Sequence, residues 1–170
     1  MSPSHCIHAR LLILVAALAI GAATPGTAAS DDRRRVVPIA PSEQTAEEPT
    51  KGERAVRNAL DVVGVAYRWG GESPATGFDC SGLVRWAYGR IGIDLPHNSY
   101  ALYGEGRKVP ASSMKPGDIL FFEGLGHVGL YVGGGRMVHS PETGRHVEVV
   151  RLAGSNYGLR LIGARRVAAR

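Results

Sequence analysis

Apolar positions recur along the chain in three rhythms, and each rhythm predicts a different kind of element. Near the N-terminus, Leu11 to Ala23 form one largely apolar stretch that follows Arg10 and ends at the small residues Thr27-Ala28-Ala29. A positive start, a short greasy middle and a small-x-small end predict a secretory signal peptide over 1–29, too short for a spanning helix. Over 30–50 the rhythm is lost among charges and prolines (Pro38, Pro41, Pro49), and a flexible tether is expected.

From residue 51 the period is helical. Thr50 and Glu53 have capping-box spacing, Ala55, Val56, Ala59, Leu60 and Val63 share one stripe, and Gly64 supplies a stop. Val65 to Asp79, rich in Gly and Pro, reads as a loop. A second stripe starts at Cys80 and runs through Leu83, Val84, Ala87 and Ile91. Then the period shortens to two. The Lys115-Pro116-Gly117-Asp118 turn leads into an apolar strand over Ile119–Phe122. Gly126–Val132 alternates, with Val128, Leu130 and Val132 on one face and His127, Gly129 and Tyr131 on the other. Gly133–Gly135 forms a hairpin turn, Arg136–Ser140 returns, and His146–Val150 and Leu159–Val167 add further strands. Helices first and antiparallel strands later predict an α+β domain over 51–170, with the helices packed on a sheet of about five to six strands. No internal repeat is visible.

Composition narrows the class of partner. The 170 residues are 44% hydrophobic and 21% charged, with 23 Gly and 10 Pro, which suits one loop-rich globular domain. The net charge of +5 drops to +4 if the first 29 residues, whose one charged side chain is Arg10, are removed. That excess suits a polyanionic surface but lacks the dense Lys/Arg clusters of a nucleic-acid footprint. No apolar run reaches 18 residues, so stable membrane insertion after signal cleavage is not expected.

Cleavage would also remove Cys6 and leave Cys80 as the one cysteine, unable to form an internal disulfide. Cys80 opens a helix directly after a loop. Free backbone N–H groups and the positive end of the helix dipole there are expected to lower a thiol pKa and to receive an oxyanion. Ser81 and Gly82 behind it are small enough for a substrate backbone to come close.

A cysteine nucleophile needs an imidazole in reach and a third group to orient it. His97, His127, His139 and His146 are the candidates. A three-residue turn would pair Val132 with Arg136 and set His139 opposite Gly129, on the same face as His127. A two-residue turn without a bulge would put the two imidazoles on opposite faces. A zinc site is disfavoured, because neither C-x-x-C nor H-x-x-x-H occurs and a fourth ligand is missing.

Four segments in order, Tyr67–Gly71 (YRWGG), Gly77–Val84 (GFDCSGLV), Lys115–Phe122 (KPGDILFF) and Gly126–Pro141 (GHVGLYVGGGRMVHSP), resemble the NlpC/P60 family of papain-like cysteine peptidases across about residues 55–165. The resemblance implies a papain-like fold and a secreted bacterial peptidoglycan endopeptidase, periplasmic or cell-wall associated, that needs no cofactor. Its implied substrate is the peptidoglycan stem peptide, cut between D-γ-glutamate and a diamino acid. Cys80 is then the nucleophile, His127 the general base and His139 the polar third member, a position where the family varies. Tyr67 matches a tyrosine beside the nucleophile, and Asp79 and Ser81 match positions that help hold the stem peptide. Each also has a plain structural reading: Tyr67 as a half-buried aromatic, Asp79 as an N-cap, Ser81 as helix-start chemistry. Trp69 and Trp86 are expected to pack, and Arg68 and Arg85 to be solvated. His97 stands where the family often has Arg or another polar residue, and no catalytic role is assigned to it. A monomer is expected. The rival readings are a non-catalytic wall-binding module and a papain-like amidase or acyltransferase.

Overall fold

A computed structural model describes residues 47–167. The expected signal peptide over 1–29, tether residues 30–46 and the last three residues of the 51–170 domain lie outside the described residues.

The first helix, α1 (Lys51–Leu60), begins with the capping box. The Thr50 hydroxyl accepts from the Glu53 amide at 3.2 Å, and the Glu53 carboxylate accepts from the Thr50 amide at 2.8 Å. Its inward face is Ala55, Val56 and Ala59. Leu60 and Val63, expected on that face, are 37% and 48% exposed, because the helix ends at Leu60 and the following turn brings Val62 inward instead. The segment read as a loop holds a small hairpin, β1 (Glu72–Ser73) and β2 (Gly77–Phe78). Strands of two residues are too short to show a period. Helix α2 (Cys80–Gly89) buries Leu83, Val84, Ala87 and Tyr88, while Ile91 packs from beyond its end. A one-turn helix, α3 (Ser99–Leu102), is capped by Asn98, whose carbonyl oxygen accepts from the Tyr100 and Ala101 amides.

The remaining elements are β3 (Arg107–Val109), β4 (Ile119–Phe122), β5 (Val128–Gly133), β6 (Arg136–His139), β7 (Glu148–Arg151), the short α4 (Asn156–Leu159) and β8 (Leu161–Arg166). Together β3–β8 make a six-stranded antiparallel sheet in the order β3-β8-β4-β5-β6-β7. Three expected strand starts shift: β5 opens at Val128 rather than Gly126, which leaves His127 just before it. His146 lies outside β7 and bridges to Ala66, and Leu159 ends α4 at 86% exposure rather than opening β8.

Both faces of the sheet centre are covered, so the run Ile-Leu-Phe-Phe of β4 is buried at every position. Ile119 and Phe121 join Val128, Leu130 and Val138 beneath α1 and α2. Leu120 and Phe122 face the other way, against Met137, Val109, Leu152 and Ala164. The Lys115–Asp118 turn is locked at its end: buried Asp118 accepts from the Lys115 amide and takes two bonds of 2.7 Å from Arg166 of β8.

The β5–β6 turn departs from expectation in detail but not in consequence. Gly133 rather than Val132 pairs with Arg136, and the turn is Gly134-Gly135, with φ of 59° and 69°. Positive φ at both positions is what a two-residue hairpin turn matching the sheet twist requires. The register shifts between Tyr131 and Gly133, so Val132 is bulged, and the ladder then continues as Tyr131–Met137 and Leu130–Val138. Turn plus bulge has the parity of a three-residue loop. His139 therefore reaches Gly129, where a Cβ would sit 3.2 Å from the His139 Cβ.

Burial separates two leucines that periodicity treats alike. Leu83→Ala, at a fully buried position, should destabilise the fold by about 2–5 kcal/mol. Leu159→Ala, on the exposed end of α4, should stay within ~0.5 kcal/mol of the parent in the same denaturant titration.

Candidate active site

The site begins with the loop-to-helix junction at Asp79-Cys80. Asp79, 8% exposed, caps α2. Its Oδ1 accepts from the Gly82 amide (2.7 Å) and the Ser81 hydroxyl (3.1 Å) and lies 2.9 Å from His97 Nε2, while Oδ2 accepts from the Gly70 amide at 2.9 Å. One carboxylate therefore ties the preceding loop, the helix start and the segment before α3 together. Gly82 makes that closeness possible, since a Cβ there would run into the Gly71 carbonyl oxygen and come within 2.9 Å of His97 Nε2. Cys80, the first helical residue, is half-buried. Its sulfur lies among the backbone N–H groups of Cys80, Ser81 and Val128.

Val128 is the residue after His127, so the thiol sits where β5 begins. His127 Nε2 is 2.9 Å from His139 Nδ1, and the two rings meet edge to face. The expected pair of imidazoles on one sheet face is thus present. Among the described residues no hydrogen bond joins Cys80 directly to His127. With Nε2 engaged by His139, Nδ1 is the His127 nitrogen left for proton exchange. His139 is fully buried, and Tyr157 packs its ring against both imidazoles. The Ser140 hydroxyl donates to the Phe78 carbonyl at 2.7 Å, fastening the strand that carries His139 to the loop that carries Cys80.

The electrostatics correct one expectation. Burial pushes the Cys80 thiol up, and the Asp79 carboxylate adds to that; the surrounding amides pull the other way but do not prevail. Burial likewise pushes both His127 and His139 down to about 4, with His139 and Arg160 adding to the shift of His127 and Arg145 to that of His139. Burial therefore favours the neutral forms of the thiol and of both imidazoles over a thiolate–imidazolium pair. The helix terminus is present, but desolvation outweighs it.

Two clefts meet at Gly126. One, about 470 Å³, is lined by Trp69, Asp79, Cys80, Ser81, His97 and Tyr100 among others. The other, about 540 Å³, is lined by His127, Glu142, Arg145, Tyr157 and Arg160 among others. Ser81 is buried, its hydroxyl turned to Asp79. Tyr67 is half-buried, and its phenol is pushed up by burial and further by the charges of Cys80 and Asp79. Trp69, expected to pack, is 85% exposed on the wall of the Cys80 cleft; Trp86 does pack, against Phe78. Arg85, expected to be solvated, keeps 39% of its side chain exposed and pairs there with Glu72 at 2.6 Å. The bracing roles of His97, Ser140 and Tyr157 are not legible in the sequence, because each partner lies far away along the chain.

Residues 64–166 match the NlpC/P60 family. Over 101 residues the chain is 50% identical to "Probable endopeptidase Rv2190c" of Mycobacterium tuberculosis, covering 59% of this chain and 26% of that protein. It is 39% identical over 121 residues to "Murein DD-endopeptidase MepH" of Escherichia coli, covering 66% of this chain and 45% of that protein. The chain thus spans less than half the length of these curated relatives. The crystal structure of an NlpC/P60 family protein from Bacillus cereus superposes with a TM-score of 0.65 at 33% identity, covering 69% of this chain and 40% of that one.

Two pH dependences follow from the buried, neutral site. Between about pH 6.5 and 4 the unfolded chain binds protons on these imidazoles that the folded chain refuses. Their contribution to stability is therefore complete above about 6.5 and shrinks as pH falls to 4; denaturation midpoints of a His127→Gln/His139→Gln variant should fall less steeply over that window than the parent's. Alkylation of Cys80 by iodoacetamide should be slow at neutral pH and still rising beyond the ordinary thiol range of about 8.5. A rate already flat by pH 7 would point instead to a resting ion pair.

Proposed function

The chain belongs to the NlpC/P60 family, and from that premise we propose that it is a secreted cysteine endopeptidase that hydrolyses peptidoglycan stem peptides at the bond between D-γ-glutamate and the diamino acid. The observation that carries this reading is the thiol at the start of α2, among the amides of Cys80, Ser81 and Val128, next to the hydrogen-bonded His127–His139 pair. The names of the relatives, a probable endopeptidase and a murein endopeptidase, support the substrate class.

In the proposed cycle the stem peptide lies across Gly126, with its acyl part in the Cys80 cleft and its leaving part in the His127 cleft. Tyr67, Asp79 and Ser81 line the approach to the reacting carbonyl. As Cys80 Sγ attacks, its proton passes to His127 Nδ1, so charge appears only during the reaction. The carbonyl oxygen becomes an oxyanion, and the N–H of Cys80 at the helix start is the donor best placed to receive it. The C–N bond then breaks, His127 returns the proton to the leaving amine, and a thioester remains. Water, deprotonated by His127, hydrolyses the thioester and restores the thiol. His139 holds the His127 ring through the 2.9 Å bond and shares the charge that His127 acquires.

A neutral resting state costs part of the driving force that an ion pair would supply, but it spares the buried site an uncompensated charge between turnovers. Cys80→Ala should abolish release of stem-peptide fragments from purified peptidoglycan, read by mass spectrometry, while the thermal unfolding midpoint changes little. His139→Ala should leave a residual rate above that of Cys80→Ala. Digestion that survives Cys80→Ala would overturn the assignment, and fragments cleaved at another bond would move the chain to a different acyl substrate.

A further inference from the structure

His139 has two ring nitrogens in a fully buried setting, and only one of them is accounted for. Nδ1 faces His127 Nε2; Nε2 has no hydrogen-bond partner among the described residues. A buried ring nitrogen without a partner calls for a reason. The polar group it does approach is Glu148 Oε1, at 3.4 Å. Glu148 is the cross-strand partner of His139 in the β6–β7 ladder, so backbone pairing holds the two side chains together. Arg145 donates to that same Oε1 and pins it in place. Other groups around the two rings are Tyr157 from α4, and Glu142 and Arg160 across the His127 cleft.

We propose that Glu148 is a positioning residue that fixes the proton arrangement of the His127–His139 pair, an inference that rests on the peptidase reading for its effect on rate but not for its existence. A neutral imidazole has one N–H. If the His139 proton is on Nε2, the Glu148 carboxylate 3.4 Å away attracts it without a formed hydrogen bond, and Nδ1 is left to accept. His127 must then donate from Nε2, which leaves its Nδ1 bare and able to take the Cys80 proton. If the His139 proton is on Nδ1 instead, the Nε2 lone pair faces a carboxylate oxygen in a buried setting. His127 then accepts at Nε2 and carries its own proton on Nδ1, where it cannot act as a base. The negative charge of Glu148 favours the first arrangement over the second.

The test reads protons directly. Long-range ¹H–¹⁵N spectra of the labelled full chain, near neutral pH and without substrate, should show both His127 and His139 protonated on Nε2. Glu148→Leu should shift the pair toward the Nδ1-protonated forms and lower kcat by about 10- to 100-fold, the usual cost of losing an outer partner. KM should stay within about twofold, since Glu148 is placed away from the bound peptide. Glu148→Gln, whose amide oxygen still accepts, should recover most of both signals. Unchanged tautomers in folded Glu148→Leu overturn the inference, as does a Gln variant no better than Leu. A parent chain that carries the expected tautomers yet releases no peptide would sink the peptidase reading and leave the proton arrangement standing.

Discussion

The site depends on the parity of one strand pairing. Side chains along a strand alternate faces, so a slip of one residue between β5 and β6 would send His139 to the face opposite His127. A two-residue turn alone imposes that wrong parity. The bulge at Val132 adds the missing residue, and the ladder from Tyr131–Met137 onward is in the register that brings the imidazoles together. Three consecutive glycines suit this, because the turn needs positive φ at Gly134 and Gly135 while Gly133 still pairs with Arg136. At the far end of the ladder, Gly129 leaves the space that His139 occupies.

Burial then determines the chemistry available. Both faces of the central strands are covered, and the same packing that fixes the imidazoles removes water from them. Desolvation disfavours a thiolate and two imidazolium ions alike, and here it outweighs the helix-start amides around Cys80. In the proposed cycle a dry site would also strengthen the interactions formed as charge develops: the amide against an oxyanion, His139 against a protonated His127. A helix terminus is thus a weaker guide to thiol pKa than its depth beneath the surface.

Which features were legible follows from how far each signal reaches along the chain. The capping box at Thr50, the stripe of α2, the β4 run and the alternation of β5 are local patterns, and each formed close to where it was read. Leu60, Val63 and Leu159 fit a period but fell beyond or at the ends of their helices, where a single turn changes which side faces the core. The β1–β2 hairpin and α3 are too short to carry a period at all. Parity could limit His127 and His139 to two arrangements, but the bulge that chooses between them depends on backbone geometry. Glu148, Ser140 and Tyr157 meet the site through cross-strand and long-range contacts, which no spacing rule reaches.

Asp79 shows how much of one carboxylate a structural role takes up. Its two oxygens already meet the Gly70 and Gly82 amides, the Ser81 hydroxyl and His97 Nε2. Of the about four lone-pair directions a carboxylate offers, three partners crowd Oδ1 while Oδ2 holds one. A further donor would meet Asp79 at the open direction of Oδ2 or take the place of a partner on Oδ1, and the two amides are fixed by the helix start and by the loop. His97 is the exchangeable partner: it lines the same cleft and belongs to neither anchor. Its Nδ1 lies 3.4 Å from Glu72, so the ring has a second acidic neighbour to turn toward. An arginine in its place would present a permanent charge and several donors to the same carboxylate, binding it more firmly. Histidine here holds Asp79 through one contact, at a position that also lines the Cys80 cleft.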